Sequence, residues 1–158
     1  MRRKDREVTD PAAIDEIIRR CDCCRLGLRD GDEVYIVPLN FGFFVDDSVR
    51  KLYFHSAPEG RKIDLIKQRQ QVGFEMDTAH ALLPGDAPCS YTYRYQSVIG
   101  QGRIRILSSD EEKIAGLNRM MDHYCSQQRE QRRFVAQALE RVEVLELEIT
   151  TLSCKEHL

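Results

Sequence analysis

Most of the signatures that announce a familiar chemistry are missing from this chain. No GxGxxG follows a strand-like run and there is no Walker loop, so neither common backbone cradle for a nucleotide's phosphates is available. No Ser-His-Asp or Cys-His signature stands out, and His80, His123 and His157 lack metal-ligand spacing. A basic excess is lacking too: 24 Lys and Arg against 26 Asp and Glu leave a formal charge of −2, which argues against a general nucleic-acid binder. The first thirty residues hold no apolar signal-peptide core, and no apolar run is long enough to span a bilayer. The expected location is therefore the cytoplasm, with no membrane partner. Of six cysteines, three crowd into Cys21-Asp22-Cys23-Cys24, while Cys89, Cys125 and Cys154 are isolated. A structural zinc site needs four ligands, usually as two separated pairs, and there is no second CxxC. Reduced thiols acting as small apolar residues, at a helix end and a strand start, are the simpler reading.

What is present is an ordinary globular composition over 158 residues, enough for one domain with a core of its own. Residues 1–9, with Arg2-Arg3-Lys4, read as a solvated, flexible tail. Asp10-Pro11 opens a helix as N-cap and N1, followed by the stripe Ile14, Ile17, Ile18. Strands are expected over 24–29 and 33–41, joined by a turn at Asp30-Gly31, then over 51–55, 72–76, 91–107 and 145–149. Pro38 marks an edge, a bulge or a break in its ladder. Thr78 to Pro88 reads as a loop. Gly100 and Gly102, on the apolar side of a long strand, suggest sharp coiling or close approach of a ligand or backbone. Ser109 and Glu112 form a capping box before a helix whose Ile114, Leu117, Met121 and Tyr124 make a core stripe, and residues 134–140 a short helical segment. Glu146 and Glu148 read as a solvated strand face. About six strands without regular βαβ alternation suit a mainly β fold, a closed or partly split antiparallel, Greek-key-like barrel with peripheral helices.

One stretch carries the chemistry. Leu52 to Asp64 reads as a strand end, a tight loop and a helix start, with Ser56 and Glu59 as a capping box and Pro58 in the first turn. Unpaired N–H groups at a helix start, its dipole, and the cations Arg61 and Lys62 favour a bound dianion, with phosphate the obvious one. A capped surface helix with two solvated cations accounts equally for the same residues.

Three blocks together resemble a known family: Tyr35 to Gly42, then Leu52 to Ser56 with Glu59 to Lys62, then Cys89-Ser90 with Tyr95 to Gly102. They are similar to the nitroimidazole-resistance branch of the pyridoxamine 5′-phosphate oxidase-like, FMN-binding split barrels, and the likeness runs from about Ile14 to Leu152. The resemblance implies a homodimer with flavin at the interface. It implies Pro38, Leu39 and Asn40 along the flavin ring, their backbone at its N5/O4 edge, and His55 and Ser56 beside the ring and ribityl chain. Arg61 and Lys62 would hold the phosphate, and Ser97 would reach the cofactor from the following hairpin. FMN is the implied cofactor, with FAD or a deazaflavin compatible with the same phosphate chemistry. His55 is the residue the resemblance offers for proton delivery, or else for a hydrogen bond to cofactor or loop. The implied activity is flavin-dependent reduction of nitroaromatic or other small electron-poor substrates. Two alternatives remain: a flavin store or sensor without turnover, and a haem-binding split barrel. Nothing matches the basic residues with which the true oxidases grip their vitamin substrate, so that activity is not implied.

Overall fold

The computed structural model describes residues 3–125, 132 and 134–157. After a helical turn at Lys4–Arg6 come β1 (Glu7–Val8), α1 (Pro11–Arg20), β2 (Cys24–Asp30), β3 (Glu33–Leu39), β4 (Gly42–Asp46) and β5 (Val49–Ser56). The chain continues through α2 (Arg61–Gln68), β6 (Gln71–Leu83), a short turn at Pro88–Ser90, β7 (Thr92–Ile106), α3 (Asp110–Tyr124), α4 (Ala136–Leu139) and β8 (Glu143–His157). None of the described helices is long and apolar enough to cross a membrane.

The strands form one sheet in the order β3-β2-β6-β7-β8-β5-β4, with β1 beside β8, and every pairing is antiparallel. The two ends of this path, β3 and β4, are consecutive in the chain and joined only by Asn40 and Phe41. Laid flat, six inter-strand spacings would separate them by about 29 Å, yet three Cα steps reach at most about 11 Å. The sheet must therefore curl until its edges almost meet. The result is a barrel split between β3 and β4. Pro38 fits because β3 is an edge strand, with β2 its only partner among the described residues.

Leu26, Leu28, Phe54, Val72, Phe74, Met76, Val98, Ile104, Leu145 and Leu147 fill the interior. Each such side chain contributes about 1.5–3 kcal/mol of burial. Helix α1 adds Ile14, Ile17 and Ile18 to this core, and α2 adds Ile63, Leu65 and Ile66. The Asp10 cap is as expected, the Ala13 N–H donating to Asp10 Oδ2 at 2.9 Å. At the start of α3, Glu112 N–H donates to Ser109 Oγ at 3.2 Å, and Ser109 N–H returns to Glu112 Oε2 at 3.4 Å. The glycines of β7 admit backbone and ring rather than ligand. A Cβ on Gly102 would stand 2.1 Å from the Glu148 carbonyl oxygen, and one on Gly100 2.5 Å from the Phe74 ring. A register shift at Gln101/Gly102 against β8 supplies the bend there.

The fold departs from the sequence expectations in several places. The described residues form eight strands rather than about six. Glu7 and Val8, read as tail, pair with Lys155 and Cys154. The run 33–41 breaks at Leu39, and Gly42–Asp46 becomes a separate strand on the other edge. The expected loop 78–88 is strand as far as Leu83, because β6 slips register between Thr78 and Ala81, absorbing Ala79 at φ 58°. The expected segment 134–140 is helical only over Ala136–Leu139. Glu146 is not solvated: it accepts from Tyr53 Oη at 2.9 Å and from Arg105 Nε at 2.8 Å. Cys21 and Cys24 are buried at the end of α1 and the start of β2, and Cys21 Sγ donates to the Ile17 carbonyl at 3.3 Å. Burial pushes the Cys21 thiol up to about 12, an inert environment.

Candidate functional site

The start of α2 differs from its expected capping. Gly60, not Ser56, is the N-cap, at φ 130°, and no side chain caps the helix. Ser56 ends β5, paired with Glu143, and its buried hydroxyl accepts a hydrogen bond from Lys62 Nζ. Pro58 and Glu59 precede the helix. The first two amides of the helix, those of Arg61 and Lys62, have no intrahelical acceptor, while Ile63 and Asp64 N–H donate to the Gly60 carbonyl at 2.9 and 3.2 Å. A Cβ on Gly60 would meet nothing within 4 Å, so the chain is uncrowded on that side of the N-cap. Burial lowers the Lys62 pKa, a penalty that a neighbouring anion would relieve. Arg61 turns the other way. Its Nε and Nη2 donate to Asp30 Oδ2 at 2.7 and 2.5 Å, and its guanidinium lies 4.7 Å from the Tyr35 ring centroid on β3.

A second feature lies across the split. Asn40 and His55 line an apolar cavity of about 420 Å³ with Leu117, Met120, Met121, Tyr124 and Phe134. The last turn of α3 fixes one wall of it. Tyr124 Oη accepts from Phe41 N–H at 3.1 Å and donates to the Asp22 carbonyl at 2.8 Å. His123 Nε2–H donates to the Cys21 carbonyl at 2.8 Å, and its ring lies 4.4 Å from that of Phe41. Asn40 Nδ2 reaches the Asp22 carbonyl at 3.4 Å. Helix α3 thus clamps the two-residue bridge between the sheet's edges. Met121 and Tyr124 are each 40% exposed and line the cavity, so the stripe read as core is in part a wall. Helical periodicity alone does not distinguish these, because a cavity wall and a core face have the same spacing. Phe134 carried no such signal.

The structure therefore joins Asn40 with His55, and Ser56 with Lys62. Pro38 and Leu39 end β3, with Asn40 just beyond them, away from Tyr35; from Tyr35 to Leu39 the strand advances about 13 Å. Ser97 stands apart. It pairs with Lys155 near the end of β8, whereas Ser56 pairs with Glu143 at that strand's beginning. Twelve strand residues separate the two levels, a contour of about 40 Å. Within one chain, Ser97 is not part of the Ser56–Lys62 cluster.

An antiparallel barrel split at one seam, with a helix start and an apolar cavity near that seam, defines the class. The chain belongs to the pyridoxamine 5′-phosphate oxidase family, whose model matches residues 10–156. Among solved structures it is similar to a candidate 5-nitroimidazole antibiotic resistance protein from Bacteroides thetaiotaomicron, with 30% identity and a TM-score of 0.80 over 95% of this chain and 86% of that one. The flavocytochrome Anf3 from Azotobacter vinelandii shares the fold at 20% identity and a TM-score of 0.84, over 100% of this chain and 72% of that one. An FAD- and haem-binding protein from Mycobacterium smegmatis does so at 16% identity and a TM-score of 0.83, over 96% and 73%. No curated protein matches the chain.

Proposed function

We propose that this chain binds a flavin, FMN in the first instance, and reduces small electron-poor substrates such as nitroaromatics. The observation that carries the reading is the pairing of an oxyanion-binding helix start with an apolar cavity that contains an imidazole. The donor set at α2 fits a terminal phosphate: two free amides, Lys62, the Ser56 hydroxyl and, once shared with Asp30, Arg61. It offers donors for one phosphate, which favours FMN over a dinucleotide. The family likeness and the flavin-binding proteins that share the fold support the same cofactor class.

When bound, the flavin supplies the hydride or electron transfer. The chain's residues position and protect. Lys62 and the α2 amides hold the phosphate, and the chain leaving the free edge of β3 lies along the ring's rim, with Leu39 and Asn40 as its backbone donors and Pro38, which has no N–H, as a packing surface. Met120, Met121, Tyr124 and Phe134 exclude water from a flat substrate. His55 is the only imidazole or carboxylate lining the cavity among the described residues, so proton delivery to the substrate falls to it. Anaerobically reduced, flavin-loaded protein is expected to reoxidise on addition of a nitroimidazole, with loss of the nitro chromophore. His55→Ala should keep the flavin spectrum and slow that step by about 10²-fold or more. Wild-type protein that stays reduced would instead be a flavin store, and an undiminished rate in the variant would remove His55 from the chemistry.

Ser97 bears on assembly. A cofactor touching both Ser97 and the Ser56–Lys62 cluster must bridge two copies, so the proposed assembly is a homodimer. The outer sheet face supports it: Val34, Ile36 and Ile99 are 70%, 62% and 56% exposed. Gly27 and Gly73, paired in register with each other and with Ile36 and Gln101, leave a shallow furrow among them. Ile36→Glu should sediment as a monomer and lose flavin; a mass unchanged from wild type would show that this face is not the interface.

A further inference from the structure

Helix α3 separates two cavities. Leu117, Met120, Met121 and Tyr124 face the one containing His55, while Arg119, Asp122 and His123 face another of about 370 Å³. At 3.6 residues per turn these two sets fall on opposite sides of the helix. Arg19 from α1 and Phe43 and Phe44 of the edge strand β4 line this second cavity. The Arg119 guanidinium lies 3.5 Å from the Phe44 ring centroid, and that of Arg19 lies 5.1 Å from the Phe43 centroid. Neither has a carboxylate partner among the described residues, whereas Asp122 on the same wall is engaged by Arg132 at 2.7 Å.

Two guanidiniums seated over aromatic rings, with no acceptor for their N–H groups among the described residues, are a pair of forks for oxygen anions. Of the two other polar side chains on the wall, Asp122 is held by Arg132 and His123 is an acceptor. His123 gives its Nε2 proton to the Cys21 carbonyl, so the neutral ring keeps a bare lone pair on Nδ1. Burial, helped by Arg19, lowers the pKa of this ring against the opposing pull of the Cys21 carbonyl and Asp22. A group that meets two cationic forks and one acceptor is an oxyanion that still carries a proton.

We propose that this cleft is a second oxyanion site, for a small phosphate-bearing molecule, in which Arg19 and Arg119 hold phosphate oxygens and His123 Nδ1 accepts the remaining P–O–H. It lies across α3 from the His55 cavity and does not depend on the flavin reading. Sulfate, which has no proton to donate near neutral pH, is the discriminating control.

The test is calorimetric titration of the protein, as purified, at pH 6, where a large share of each phosphate still carries a proton, with inorganic phosphate, phenyl phosphate and sulfate, ionic strength being held constant with sodium chloride. Saturable phosphate binding is expected, at least tenfold tighter than sulfate. It should survive Lys62→Ala, which removes the other oxyanion site, and fall at least tenfold in Arg119→Gln and in Arg19→Gln. Arg119→Lys, which keeps the charge but not the fork, should be intermediate and guards against a folding defect in the glutamine variant. Tighter binding of phenyl phosphate would identify a phosphomonoester as the ligand, and tighter binding of the inorganic ion a free phosphate. No saturable heat, binding lost with Lys62→Ala, or binding unchanged in both arginine variants would overturn the proposal. Equal affinity for sulfate would overturn the role of His123.

Discussion

Gly42→Ala is expected to destabilise the fold by about 3 kcal/mol or more, lowering Tm by roughly 6–12 °C for a chain of this size. A Cβ there would stand 2.4 Å from the carbonyl carbon of Arg119 and from the amide nitrogen of Met120. Both are helix backbone, which cannot swing aside as the tip of a side chain can. Relief requires α3 to move off β4 as a body, or β4 to leave β5, where Gly42 pairs with Tyr53. Movement of α3 would disturb both cavities, because Met120 and Tyr124 line one and Arg119 and His123 the other. It would also strain the bond from Phe41 N–H to Tyr124 Oη. Thermal unfolding followed by circular dichroism measures the effect. A transition unmoved from wild type would mean that α3 is loosely seated and that Gly42 is incidental.

The cofactor site should respond just as strongly, and unequally between its two cations. Lys62→Ala is expected to weaken flavin binding about 10- to 150-fold, the loss of one charge-assisted hydrogen bond of about 1.5–3 kcal/mol. Arg61→Ala should cost less, since Asp30 already neutralises that guanidinium at 2.7 Å and holds it towards the β2–β3 hairpin. The double variant should purify colourless. Removing Lys62 also removes the hydrogen bond to the buried Ser56 hydroxyl, so thermal unfolding of the flavin-free variant is measured alongside. That separates a binding defect from a folding one. Fluorescence titration with FMN gives the affinities, and a double variant that binds as tightly as wild type would sink the phosphate assignment.

Local rules were readable from the chain wherever local groups satisfy one another. The Asp10 cap, the Ser109–Glu112 box and the Asp30-Gly31 turn all involve residues within a few positions, and all are present. Pro38 was legible as an edge because its missing N–H leaves few other places for it. Ser56 misled for a tertiary reason. Its spacing to Glu59 matches a capping box, but β8 claims its backbone and Lys62 its hydroxyl. The break after Leu39 has only a weak local signal, Asn40 and Gly42 being poor strand formers in an otherwise β-prone run; the group that fixes it, Tyr124, lies 83 residues beyond Phe41. Of the candidate site, the phosphate end was visible as charge beside a helix start. The far wall was not, because Met120, Met121 and Tyr124 spell a helix face whether they meet a core or a void.

The two-residue bridge at Asn40 and Phe41 also dictates an order of assembly. Hairpins β2–β3 and β4–β5 close early from neighbouring residues, yet the pin that sets their edges side by side arrives only with the end of α3. A nascent chain must therefore carry the edges of β5 and β7 unpaired until β8, which stitches β7 to β5 and follows α3 in the chain, has left the ribosome. The last third of the chain acts as the fastening of a garment already cut. Truncation or stalling in that third would leave open edges of the kind on which neighbouring chains aggregate.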